Sequence, residues 1–480
     1  MKRLFIFILS SILCFSGCSR IEQPLKQKED CVVTWVMDSS EVIPENNIKV
    51  LNTLLKEKGY DFSVKFEYLE SDLMGEKPDM YRDALEKMIS KKQADIAFLG
   101  WEYEVAPGLC TKFLRKRYSF VLDEWLQTEE GKKLYELYDK EIWDTCKVDG
   151  KIVAFPNERH VYSPATVVGF NKEYFTKQQV ENWDGSWDGL YQMMKKTKLP
   201  DGVYMMKGFP ELIRFTQTKA GENYIMQDKL VYDLRARNFT NLFEVDAFYE
   251  YMNFLNKCWK DGYLFDVNMG YYNYSDEVYE SMEQGNYAVD ISADSNYPDE
   301  NVIYVEAPSY MVENNLGTQT VVVENAPHLE EALHLMVALR TDDELANALL
   351  YGKEGEAYAV NESGKIIGDI YPAGEWSIGL ADGILPLENA FYDNFRGYKK
   401  EVLKSEKRLS STIVGFYPDY SKEKKDMSSY LKLIQKYENC WQDKDFNKKY
   451  QEGKEKMNKQ TKELLKGVNS QLRNWREKGE

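Results

Sequence analysis

The chain has 480 residues, enough for two to four domains at roughly 150 residues each. Its 43% hydrophobic and 29% charged content supplies sizeable cores and excludes a chain disordered by composition. With 62 basic and 79 acidic side chains the formal charge is −17, which argues against nucleic acid or anionic lipid head groups, partners that reward basic surfaces.

Residues 1–17 have the charged start (Lys2, Arg3), apolar middle (Leu4 to Phe15) and small-residue end (Ser16, Gly17) of a secretory signal. The apolar run is shorter than the roughly 20 residues a membrane-spanning helix needs. Cys18, after two small residues, resembles the acceptor of a bacterial lipoprotein signal. On that reading lipid on Cys18 holds the protein to the outer face of a membrane, and polar residues 18–30 form a tether. An ordinary signal peptide with an incidental Cys is the alternative. Five cysteines follow (Cys31, Cys110, Cys146, Cys258, Cys440), an odd number without a CxxC pair. Buried free thiols are therefore expected rather than a disulfide framework or zinc site, although one bridge such as Cys110 with Cys146 would be compatible with export.

Cys31 to Met37 is a nearly continuous apolar run and predicts a buried strand. Ile48, Leu51, Leu54 and Leu55 recur at helical spacing, and Gly59 suits a left-handed stop. Phe62, Val64, Phe66 and Tyr68 alternate as in a strand. Ala84, Leu85, Met88 and Ile89 mark a second helix, and Ala94 to Leu99 a third strand. This β-α-β-α-β order predicts a parallel sheet flanked by helices, with ligand beyond the carboxyl ends of the strands. Asp149-Gly150 predicts a tight turn before a strand that ends at Pro156. Further strands are expected at 165–171, 287–290, 302–307 and 317–324. A helix carries Ala332, Leu335, Met336 and Leu339, and Thr341 to Glu344 fits a capping box for the next. From about Asp426 the chain reads as helical and charged, with Tyr430, Leu433, Tyr437 and Trp441 as its apolar stripe.

These landmarks carry a resemblance. ADIAFLGW, VDGKIVAFPNE, VVGFNKEYF, EQGNYAVDI, the PHLEEALHLMVALRTDDELANALLYGKEG segment and the closing QLRNW occur in the order seen in the extracellular solute-binding proteins of ABC importers, in the branch that binds oligosaccharides. Asp290 stands where those proteins usually carry an apolar residue. The resemblance implies a two-lobed α/β periplasmic-binding-protein-like fold, each lobe a mostly parallel sheet flanked by helices, joined by a hinge. It places lobe one at 31–152 and 304–348 and lobe two at 153–303 and 349–480. It also implies closure of the lobes over a ligand in the cleft. The expected partners are a small carbohydrate and the permease subunits in the membrane, with the protein itself a monomer.

A pyranose has apolar C–H faces and a rim of hydroxyls. Tyr and Trp stack on the first, while carboxylates and amides bond the second. The chain has 34 Tyr, 22 Phe and 10 Trp, and three His that lack metal-ligand spacing, so no metal or other cofactor is expected. Candidate ligand residues are Asp38, Ser39, Trp101, Glu102 and Tyr103 at strand ends in lobe one. Asn157 and Glu158 follow the crossing strand, and Trp376 follows Gly374-Glu375. Asp294 and Tyr271 are weaker candidates. Each has a structural alternative: Asp38 could cap a helix, Glu102 could be a solvated acid, and either Trp could pack. Trp35 reads as core, and Trp183 and Trp187 stay unassigned. A surface glycoside hydrolase would need two carboxylates about 5–10 Å apart, and no catalytic motif is visible. A peptide or other polar solute is the alternative ligand, and a glycan-binding lipoprotein without transport the alternative role.

Overall fold

A computed structural model describes residues 31–72, 77, 79–100, 108–157, 166–208, 210–264, 276–292, 300–306, 310–311, 314, 316–367, 374, 377–379, 381, 383–385, 387, 408–409 and 412–479. In chain order the principal elements are β1 (Cys31–Asp38), α1 (Glu45–Glu57), β2 (Phe62–Leu69), α2 (Met80–Ser90) and β3 (Ile96–Phe98). Then come β4 (Thr166–Asn171), α3 (Trp187–Lys196), β5 (Tyr204–Lys207), α4 (Asp246–Lys260), β6 (Tyr287–Asp290) and β7 (Val302–Glu306). The last are β8 (Thr320–Val322), α5 (Leu329–Thr341), α6 (Asp343–Tyr351), α7 (Lys424–Tyr437) and α8 (Phe446–Glu477).

Two sheets organise two separate cores. The first has the order β8-β3-β1-β2, with β1 parallel to both β2 and β3, and β8 antiparallel at the edge. β1 is apolar on both faces because α1 and α2 cover the sheet, and Val33, Trp35, Leu51, Leu85 and Phe98 share one buried cluster. The second has the order β7-β4-β6-β5. Here only β6 and β5 run parallel, while β4 is antiparallel to β6 and β7. The mostly parallel sheet expected for both halves therefore describes the first, and a reversed β4 makes the second mixed. Its core collects Phe170, Trp187, Tyr251 and Val289 with Tyr430, Trp441 and Leu464 from the C-terminal helices. A smaller cluster holds Ala346, Leu350, Ile366 and Leu387.

The hairpin at residues 147–152 turns through Asp149 (φ 51°) and Gly150 (φ 77°), as the Asp-Gly pair requires. Val153, Ala154 and Phe155 then pack in the first core, and the Phe155 N–H donates to the Thr320 carbonyl at 2.8 Å. Among the described residues, the chain passes between the two main cores after Asn157, after Glu306 and after Leu387. Returning, it ties them together. Ile413 and Phe416 enter the second core, while Tyr417 packs on the first and donates to the Thr145 carbonyl at 2.6 Å.

Local details differ from the expectations at two points. The start of α6 is capped by Asp342, whose carboxylate accepts from the Glu344 and Leu345 N–H groups, not by Thr341. Thr341 instead ends α5 and donates to the Val337 carbonyl, because a hydroxyl inside a helix turns to its own backbone. The C-terminal stripe runs through Met427, Tyr430, Ile434 and Tyr437, with Trp441 on a separate turn and Leu433 only partly buried. The five cysteines from Cys31 onward are free, and all but Cys31 are buried.

Candidate functional site

The carboxyl edge of the first sheet concentrates buried polar atoms. β1 ends on Asp38, which is wholly buried. Its Oδ1 accepts from the Ser40 N–H at 2.9 Å and the Ser40 hydroxyl at 2.8 Å, an Asx turn that swings the chain away from the sheet. Its Oδ2 is buried and has no hydrogen-bond partner in the protein. β8 enters the same edge antiparallel to β3, so Gln319, whose carbonyl accepts from Leu99, and Thr318 lie beside the end of β3. Thr318 Oγ1 and Gln319 Oε1 are also buried without partners. Each such atom costs about 1–3 kcal/mol, and more when charged, unless something supplies the missing bond.

Three further segments reach this edge. Asn157, after the crossing strand, is buried and donates to the Thr318 carbonyl at 3.2 Å. Ser377 lies in a turn opened by Gly374 (φ 68°), where a Cβ would stand 2.6 Å from Ile43. It donates to Glu41 Oε2 at 3.2 Å, and its carbonyl accepts from the Thr320 hydroxyl at 3.3 Å. Burial pushes the Glu41 carboxyl up to about 7; the Ser377 hydrogen bond opposes the rise, and the Asp38 carboxylate adds to it. Tyr81, from α2, bonds the Phe98 carbonyl and lies under Gly100, whose φ of +80° and tight contact with the ring exclude a side chain. Arg82 donates to the Gly100 carbonyl at 2.9 Å.

Beneath the crossing strand lies Arg340 of α5, fully buried. It stacks on the Phe155 ring at 5.4 Å and donates to the carbonyls of Met336 and Pro156. Burial lowers its affinity for its proton. The strand and the segment around Gly379, where a Cβ would meet the Pro156 carbonyl at 2.4 Å, are thus packed as one unit.

The second sheet has its own polar edge. Asp290 ends β6, and its Oδ1 accepts from the Ser292 N–H at 2.8 Å and hydroxyl at 2.9 Å. Burial raises its pKa, against the pull of Ser292, Lys207 and Arg214. Arg214 is paired with Glu211 at 2.6 Å.

Of the candidates from the sequence, Asp38 and Asn157 come together at the first edge. Ser39 stands next to Asp38, but its hydroxyl donates to Glu70 at 3.3 Å, on the exposed side. Trp101, Glu102, Tyr103, Glu158, Tyr271, Asp294 and Trp376 lie outside the described residues, as does Cys18. Sequence reasoning missed Glu41 and Ser377. The Asp-Ser-Ser-Glu run after a predicted strand was the available signal for the first, and the neighbouring Trp376 for the second. Trp35 and Trp187 are core residues. Among the described residues, no group of three or more His, Cys, Asp or Glu side chains is placed to hold a metal, and no helix is long and apolar enough to cross a membrane.

Comparison with known proteins places this arrangement. No protein-family profile matches the chain. A carbohydrate ABC transporter substrate-binding protein of Streptococcus pneumoniae serotype 4 is 23% identical over 421 residues, covering 76% of this chain and 81% of that protein. The N-glycan transport solute binding protein NgtS of Streptococcus pneumoniae superposes with a TM-score of 0.66 at 17% identity, covering 94% of this chain and all of the other. The fold is that of a two-lobed solute-binding protein. NgtS in complex with Man1GlcNAc gives 0.61 at 19% identity, covering 92% of this chain and 98% of that one. The S. pneumoniae substrate-binding protein FusA, in complex with kestose, gives 0.58 at 10% identity, covering 93% of this chain and 100% of that one. In such a fold the two sheets are the lobes, and the polar edge at Asp38 belongs to the first.

Proposed function

We propose that this chain captures a neutral oligosaccharide between its lobes and delivers it, chemically unchanged, to the permease of an ABC importer. The observation that carries this reading is the edge at Asp38. A buried carboxylate oxygen and a hydroxyl, Asp38 Oδ2 and Thr318 Oγ1, lack partners there, and a polyhydroxylated guest supplies donors and acceptors for both. The similarity to a carbohydrate-transport protein over most of the chain supports the same class of ligand. Ligand that touches both lobes binds the closed form better than the open one, which gives a transporter a way to sense loading. Binding is reversible and without turnover.

A thermal-shift and tryptophan-fluorescence screen against neutral oligosaccharides and peptides tests the reading. A sugar at 100 times its dissociation constant stabilises the folded state by about 2.7 kcal/mol. A screen in which only peptides shift the transition rejects the sugar assignment. Chromatography of the incubated glycans shows no product accumulating with time; hydrolysis would establish an enzyme. We further propose that Cys18 carries the lipid that anchors the protein outside the cell membrane. Metabolic labelling with a radioactive fatty acid marks the wild type, and Cys18→Ser abolishes the label; a label retained in that variant removes the anchor. Association with permease subunits in a pull-down distinguishes transport from plain glycan adhesion.

A further inference from the structure

The turn after β1 folds Glu41 back on the strand end, its N–H donating to the Asp38 carbonyl at 3.0 Å. Its side chain is then fastened from a point 336 residues away in sequence, by the Ser377 hydroxyl. Ser377 is wholly buried and is itself tied to Thr320, so Glu41 joins the edge that holds Asp38 Oδ2 and Thr318 Oγ1. Asp38 and Thr318 are both more than nine-tenths buried, so the two unpartnered oxygens are fixed in place before any guest arrives. The groups around the pair come from every neighbouring element. Tyr68 of β2 hydrogen-bonds the Ile43 backbone, Tyr81 and Arg82 of α2 hold the carbonyls of Phe98 and Gly100, and Glu70 beyond β2 takes the Ser39 hydroxyl.

We propose that Asp38 and Glu41 together form a hydroxyl-accepting subsite of the cleft, and that seating a sugar hydroxyl there ionises Glu41, so that binding releases a proton. The inference rests on the carbohydrate reading and extends it. Without a guest, Glu41 sits half-buried beside a like charge and holds its proton up to about pH 7. Burial raises both Tyr68 and Tyr81, which stay neutral across this range. A hydroxyl donated to the pair favours the carboxylate over the acid and pulls Glu41 back toward the ordinary Glu value of about 4.3. The carboxyl O–H bond breaks and its proton passes to solvent; no bond of the sugar changes. Affinity is therefore full above pH 7 and falls as pH drops below it, by roughly ten- to thirty-fold between pH 8 and pH 5.5.

The test is calorimetry of the full mature chain with Man5GlcNAc, Man1GlcNAc and kestose, at pH 7 in two buffers of different ionisation enthalpy. For the glycan that binds, the two enthalpies differ by the equivalent of about half a proton released per site. In Glu41→Gln the difference vanishes and the affinity no longer depends on pH between 5.5 and 8. A melting temperature close to wild type shows that this variant is folded. A merely structural Glu41 would alter affinity without altering proton release. Glycan binding with equal enthalpies in the two buffers, or with an unchanged pH profile in Glu41→Gln, overturns the subsite and leaves the carbohydrate reading standing. Binding of none of the three glycans in either buffer removes the carbohydrate reading for this class and the subsite with it.

Discussion

The two lobes end their central strands in the same way and surround the result differently. Asp38 closes β1 and Asp290 closes β6, each with an Asp-x-Ser turn in which serine N–H and hydroxyl both donate to Oδ1 within 2.8–2.9 Å. In lobe two the turn also packs on a glycine at positive φ, Gly208, where a Cβ would stand 2.9 Å from Asp290 Oδ1. The charges acting on Asp290 and on Glu41 are of opposite kind. Around Asp290 they are Lys207 and Arg214, whereas the group acted on by Asp38 is another acid, Glu41. One local device thus produces a carboxyl group with cations at hand in lobe two and, in lobe one, a carboxylate with one unpartnered oxygen beside a second acid. The strand-end turn is a shared scaffold, and its charged surroundings differ between the lobes.

The largest effects should come from the cores that keep the lobes separate. Trp35 stacks on Phe66 in the first core, and Trp187 packs against Tyr251 and Phe254 in the second. Replacing either with Ala should cost about 3–5 kcal/mol. In scanning calorimetry Trp35→Ala is expected to lower one transition and Trp187→Ala the other. If both variants shift a single shared transition, the lobes unfold as one unit and their comparison as independent bodies fails.

Next in size are the glycines. A Cβ on Gly208 would stand 2.5 Å from the Ser292 hydroxyl and 2.7 Å from its backbone nitrogen, at a φ of +108°. A Cβ on Gly100 would come nearest to the Tyr81 ring, at 2.7 Å and a φ of +80°. Backbone strain and overpacking together predict a loss of about 2–4 kcal/mol for each Ala variant, larger at Gly208 because backbone cannot swing aside. Urea denaturation measures both. A smaller loss at Gly208 than at Gly100 would mean that the second turn yields more easily than its contacts imply.

The first lobe was more legible in the sequence than the second, for physical reasons. β1 and β2 are eight residues long and carry continuous or alternating apolar patterns that only a strand satisfies. β5 has only four residues, and the three-strand sheet at 224–241 turns at Asp228-Lys229, both at positive φ without a glycine to announce it. Asp38 and Asn157 could be picked out because strand ends in α/β sheets face the ligand. Glu41 and Ser377 each had a local signal nearby, but their pairing had none, since it depends on a contact spanning most of the chain. The Thr341 cap was misplaced by one residue because Asp342 competes for the same N–H groups and wins with a charge.

The smallest effects separate the two aspartates themselves. Asp38→Asn keeps an oxygen for Ser40 and puts an amide donor where Oδ2 now seeks one. Sugar affinity should fall at least about tenfold, or 1.4 kcal/mol, with stability little changed. Asp290→Asn should change affinity by less than about threefold, because its charge already has cations nearby. Its signature lies in stability against pH. The folded state holds the Asp290 proton more tightly than the unfolded chain does. That contribution is fully present below the unfolded value of about 3.9 and is lost as pH rises through the higher folded value. The wild-type melting temperature should therefore lose ground to Asp290→Asn as pH increases from 4 upward. Equal losses of affinity in the two variants would make the edges equivalent and place the guest between both carboxylates. A loss confined to Asp38→Asn fixes recognition by carboxylate in the first lobe.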